Sequence, residues 1–225
     1  MSRSLRTRTR ATLPALVLAA GLTLAGCGGG DTATDEAGGE GHDHGGGPAT
    51  VEGPEDDYAG LDLAEPYKRP QIQLTDTTGA PYDFKAATEG RPTLLFFGYT
   101  ECPDVCPTTM ADVAVALRDV DPAVAEQVQV VFVTTDPATD TPEVLGSYLD
   151  NFDADLPVSF VGLTGELDAV VQAQLAAGVP QAEDEGRLHS TLLLLYGADD
   201  QARVAFDTGN DWRDIAADLG KVVGS

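Results

Sequence analysis

The sequence predicts a three-layer α/β domain built on a mixed central sheet, preceded by a long stretch with no core of its own. Three observations predict it. The segments "TLLFFGY" and "VQVVFVTTD" are almost continuously apolar, as strands covered on both faces must be. Long segments with helical spacing of apolar residues link the buried strands, which brings helices onto the faces of the sheet. A pair of short strands stands at the start of the domain and a second pair near its end.

The elements follow in order. "QIQLTDTTGAPYDF" reads as two short strands around a Thr-Gly turn, an N-terminal β-hairpin extension. "TLLFFGY" is the first buried strand. "MADVAVALRDV" repeats apolar residues at helical spacing, and "VQVVFVTTD" is the second buried strand. Thr141-Pro142-Glu143 opens a helix through "EVLGSYLDNF", with a capping hydroxyl, proline at the first helical position and an acid in the first turn. "TGELDAVVQAQLAAG" reads as a helix capped by Thr164 and stopped at Gly178. "STLLLLYG" and "ARVAF" form a hairpin around Ala198-Asp199-Asp200, and "NDWRDIAADLGKVV" is a closing amphipathic helix. These elements fill residues 67–225, a typical size for one domain.

Residues 1–66 follow other rules. The first ten carry Arg3, Arg6, Arg8 and Arg10 and no acid. An apolar run follows that is too short to span a bilayer, which needs about 20 such residues. It ends in Leu24-Ala25-Gly26-Cys27, which resembles a bacterial lipobox. Residues 1–26 are therefore expected to be a lipoprotein signal peptide and Cys27 the lipidated residue, holding the protein on the extracytoplasmic face of the cell membrane. Residues 27–66, rich in glycine and acids, read as a disordered, lipid-anchored tether.

Charge narrows the partners. Four of the 13 Lys and Arg residues lie in the leader, so its removal leaves nine against 37 acids, a net charge near −28. Such a surface repels nucleic acid and anionic lipid.

Chemistry concentrates at "ECPDVCPTTM". With Cys27 given to lipid, Cys102 and Cys106 are the two remaining thiols, and they face an oxidising compartment. They could form a structural disulfide, cycle as a redox pair, or hold a metal. A bridge so local closes a tiny loop and stabilises little. The pair lies where a buried strand ends and a helix begins, and a helix N-terminus favours thiolate over thiol. Pro103 and Pro107 stiffen the loop, and a helical spacing of four would put both sulfurs on one face. Asp104 between them either tunes charge at the site or assists the turn. The chain has three histidines: His42 and His44 in the tether, and His189 just before a strand. A lone histidine is ordinarily structural or exposed. The tether pair reads as a hydrophilic spacer or as a weak metal-capturing site without a rigid frame.

"LLFFGYTECPDVCPTTM", "VVFVTTDPATDTPEVLGSYLDNF", "GLTGEL" and "LHST" together resemble the successive motifs of the Sco/SenC family. The resemblance covers the domain from about Tyr67 onward and implies a thioredoxin-like fold. It implies copper binding through Cys102, Cys106 and His189, and assembly of the binuclear copper centre of cytochrome c oxidase. Two thiolates and an imidazole form a soft set suited to Cu(I); an added ligand could also hold Cu(II), and zinc fits the ligand types but prefers a closed tetrahedral set or an open catalytic site. The implied partners are the copper-bearing oxidase subunit, a copper donor and an extracytoplasmic thiol reductant. The implied role is a metallochaperone and not an enzyme. The alternative is a thiol–disulfide oxidoreductase acting through Cys102 and Cys106 on that subunit's cysteines. Within "DPATDTP", Thr139 stands where the family usually has arginine.

Overall fold

The computed structural model describes residues 57–182 and 190–224. The chain runs through β1 (Leu61–Lys68), β2 (Gln73–Asp76), β3 (Pro81–Asp83), α1 (Phe84–Thr88), β4 (Thr93–Gly98), α2 (Val105–Asp119) and α3 (Pro122–Ala125). It continues through β5 (Gln129–Thr134), α4 (Pro142–Asp153), β6 (Val161–Thr164), α5 (Leu167–Ala176), β7 (Leu193–Tyr196), β8 (Gln201–Phe206) and α6 (Trp212–Val223). The strands form one mixed sheet in the order β1-β8-β7-β4-β5-β6-β2-β3. β4, β5 and β6 are parallel neighbours, and the outer pairings are antiparallel.

The two apolar stretches are continuous because both faces are covered. Leu94, Phe96, Val130 and Phe132 pack into one core with Met110 and Leu117 of α2, Leu145 of α4 and Leu219 of α6. Leu95, Phe97, Val131 and Val133 face the other way, onto Phe84 of α1 and Val170 and Ala173 of α5. The strand period of two thus sends alternate side chains into separate cores. This is the expected three-layer arrangement.

Local expectations hold where their chemistry is local. Asp76 Oδ1 accepts from Thr78 N, Thr78 Oγ1 and Ala80 N, and Gly79 takes φ +82 at the β2–β3 turn. Thr141 Oγ1 accepts from Val144 N at the head of α4, with Pro142 at its first position. β7 and β8 pair as a hairpin. α6 opens on a capping box between Asp211 and Asp214.

Two expectations are corrected. The sequence predicts a tether through residue 66, but Leu61–Lys68 is an edge strand paired with β8. Most of its side chains are exposed, so no apolar pattern was needed, and an edge with an irregular register tolerates Pro66. Thr164 is not a helix cap. It ends the short buried strand β6, and its Oγ1 donates to the Asp140 carbonyl at 3.1 Å. α5 starts at Leu167, after Glu166, without a side-chain cap. Residues 1–56, with Cys27, His42 and His44, and residues 183–189, with His189, lie outside the described residues.

Candidate metal centre

β4 ends at Gly98, and the chain turns through Tyr99–Asp104 into α2. The turn is closed by Cys102 N donating to the Tyr99 carbonyl at 3.3 Å, and the helix begins with Thr108 N donating to the Asp104 carbonyl at 3.2 Å. The orphan amides of the first helical turn need acceptors. Asp104, at the cap position, is exposed and offers no side-chain cap bond. Instead the Cys102 sulfur accepts from Cys106 N at 3.3 Å. The spacing of four is thereby expressed as a direct contact: one cysteine caps the turn that carries the other.

The two thiols differ in environment. Cys102 is half-buried, while Cys106 is 0% exposed. The Cys106 sulfur packs where a side chain on Gly98 would have to sit: a Cβ there would meet it at 2.8 Å, with Phe96 Cε1 also at 2.8 Å. Burial pushes the Cys106 thiol well above its ordinary value, and the hydrogen bond with Cys102 adds to that. A backbone hydrogen bond with Tyr99 pulls the other way, and the charges of Cys102 and Asp140 raise it again. The expected preference for thiolate at a helix N-terminus is therefore reversed at Cys106, where desolvation outweighs the helix dipole. A soft cation entering here must displace that proton, after which its charge offsets the cost of burial.

Asp140 braces the loop that carries the pair. It is buried at the end of "DPATD" and accepts from Thr100 N at 3.0 Å, Thr100 Oγ1 at 2.5 Å and Thr134 Oγ1 at 2.6 Å. The cysteine loop is thus tied to the C-terminal end of β5. A second tie runs from Thr135 N to the Gly98 carbonyl at 2.7 Å. Tyr148 of α4 completes the wall. Its ring lies 5.7 Å from that of Phe132, its buried hydroxyl has no hydrogen-bond partner among the described residues, and burial raises it, followed by the charges of Cys106, Cys102 and Asp140. Thr100, Thr134, Asp140 and Tyr148 were not singled out from the sequence. The one signal was an acid between threonines in a segment read instead for Thr139, which is exposed.

Among the described residues no cluster of three or more His, Cys, Asp or Glu could hold a metal ion. Cys102 and Cys106 are brought together, and a third ligand has to come from elsewhere. Antiparallel pairing of Leu193 with Phe96 sets the chain entering β7 at the end of the sheet where β4 delivers the cysteines.

This sheet, with a thiol pair at the head of its first long helix, defines a thioredoxin-like domain. The chain belongs to the SCO1/SenC family, whose profile matches residues 63–224. It is similar to the apo Sco1 protein of Thermus thermophilus, with TM-score 0.63 and 30% identity, covering 76% of this chain and all of that one. It is also similar to Bradyrhizobium japonicum ScoI with copper bound, with TM-score 0.58 and 31% identity, covering 70% of this chain and 99% of that one. A protein of Stutzerimonas stutzeri, provisionally named for copper binding, is 38% identical over 140 residues, which span 60% of this chain and 66% of that protein. The match to the mitochondrial protein SCO2 of Saccharomyces cerevisiae spans 34% of its length, so the chain covers only part of these relatives.

Proposed function

We propose that this protein is a copper carrier held on the extracytoplasmic face of the membrane through Cys27, with Cys102, Cys106 and His189 as the copper ligands. The observation that carries the reading is the Cys102–Cys106 contact: two soft donors, one capping the helical turn that carries the other, one reachable and one buried. Kinship to a copper-bound ScoI supports it. Reduced thiols suit Cu(I), and a Cys102–Cys106 disulfide would abolish two of the three ligands, so loading needs a thiol reductant. Delivery to the copper-bearing subunit of cytochrome c oxidase is the role that family membership suggests. No described helix is long and apolar enough to cross a membrane, and a lipid on Cys27 would supply the attachment.

Copper titration of the reduced and the oxidised chain tests the site. One tightly bound copper is expected in the reduced chain only, lost in Cys102→Ala, Cys106→Ala and His189→Ala. Affinity no tighter than about millimolar for the reduced chain would overturn the reading. Mass spectrometry of the membrane fraction tests the anchor: an acylated Cys27 at the N-terminus is expected, and an unmodified Cys27 would refute it.

A further inference from the structure

Asp136 lies two residues past the end of β5. It is 8% exposed, yet its carboxylate accepts no hydrogen bond and makes no ion pair with any described residue. Buried carboxylates are ordinarily paired. The residue lines a groove of about 490 Å³ together with Thr135, Pro137, Thr139, Glu166 and Leu167. No Lys or Arg lines this groove among the described residues. Glu166 is exposed at its rim, and Leu167 is 57% exposed beside it. The groove therefore offers one sunken carboxylate, a second at the lip and an apolar surface next to both. That combination matches a side chain with an aliphatic stem and a cationic head.

Hydrogen bonds link the groove to the loop that carries the thiols. Asp136 N donates to Thr134 Oγ1 at 3.0 Å, and that hydroxyl donates to Asp140, which holds Thr100 two residues before Cys102. Thr135, on the groove, donates its N–H to Gly98, whose Cβ position the Cys106 sulfur occupies. The groove's Thr135 and Asp136 are thus bonded to the residues that hold the cysteine loop.

We propose that this groove docks an arginine or lysine side chain of the protein that exchanges metal with Cys102 and Cys106, its cation pairing with Asp136 and its stem lying on Leu167. The proposal rests on the carrier reading for the partner's purpose, but its test does not need copper. The full chain, reduced and copper-free, is titrated with the blocked peptide Ala-Leu-Arg-Leu-Ala, and backbone amide shifts are followed. Saturable shifts are expected at residues 135–139 and 165–167. Affinity should fall about tenfold for the citrulline peptide and for Asp136→Asn, and fall measurably for Glu166→Gln. Asp150→Asn, an exposed acid on α4, should leave it unchanged. Native amide spectra of each variant confirm folding. Shifts spread over the whole acidic surface, equal losses in Asp136→Asn and Asp150→Asn, or the same shifts with magnesium chloride alone would each overturn the proposal. Failure here leaves copper binding untouched, and loss of copper in Cys102→Ala should leave the peptide titration intact.

Discussion

At residue scale the site is governed by close packing around one sulfur. Gly98→Ala places a methyl 2.8 Å from Cys106 Sγ and from Phe96 Cε1, closer than real contacts of this kind, and 3.0 Å from Phe132 Cζ. A loss of about 1–3 kcal/mol of stability is expected from urea unfolding. Adding Cys106→Ala should restore part of it, because one of the crowding atoms is removed; no recovery would mean that the aromatic contacts alone are responsible. The same burial makes stability depend on alkaline pH. Cys106 holds its proton in the folded state beyond its ordinary value of 9.0. The unfolded chain therefore releases the proton first, so this contribution is complete below about pH 8.5 and declines as pH rises past the unfolded value. Tyr148 and Tyr196 are shifted the same way by burial, from 10.0. Stability should fall from about pH 9 upward, and Cys106→Ala should flatten the first part of that decline, before tyrosines titrate. A decline of equal slope in that variant would assign the whole effect to other groups.

At the scale of elements, short polar bridges set the position of the thiol loop. Asp140→Ala removes the acceptor shared by Thr100 and Thr134 and leaves the buried Thr134 hydroxyl proton and the half-buried Thr100 amide without it. A cost of about 1–3 kcal/mol is expected, together with faster hydrogen exchange at Thr100 N. Unchanged exchange at Thr100 would show that the loop is held by other contacts. The brace also marks the boundary of what sequence reading reaches. β4, β5 and β7 were legible because burial on both faces demands unbroken apolar runs, and Thr141-Pro142-Glu143 because a cap is local chemistry. β1 was missed because an edge strand can be mostly exposed, and β6 because four residues give no period. The Cys102–Cys106 pair was legible as spacing. Its asymmetry was not, since the burial of Cys106 depends on Gly98, Phe96 and Phe132 from the sheet. Asp140 was hidden for the same reason: its partners come from two strand ends and the sequence separates it from Thr100 by 40 positions.

Across the whole molecule two buried charges fasten the edge strand to the body. Arg69, just past β1, donates to Asp200 at 2.6 Å, Thr88 at 2.9 Å, the Arg91 carbonyl at 2.8 Å and the Gly197 carbonyl at 3.0 Å, and lies over the Tyr196 ring. It joins the β7–β8 hairpin to the approach to β4. Arg69→Lys keeps the charge but not the planar fork, and should lose about 2 kcal/mol or more, read from the denaturation midpoint. A midpoint equal to the parent's would show the fork to be dispensable.

The second fastening is Asp218 of α6, wholly buried, which accepts from Ala59 N at 2.9 and 3.0 Å and from Gly60 N at 2.9 Å, while Lys221 reaches the Asp57 carbonyl at 2.7 Å. These bonds grip the chain just ahead of β1. Mechanically, α6 works as a strain relief, as the collar does on a cable. Along the backbone from the N-terminal side, these bonds to the closing helix are met before the pairing of β1 with β8.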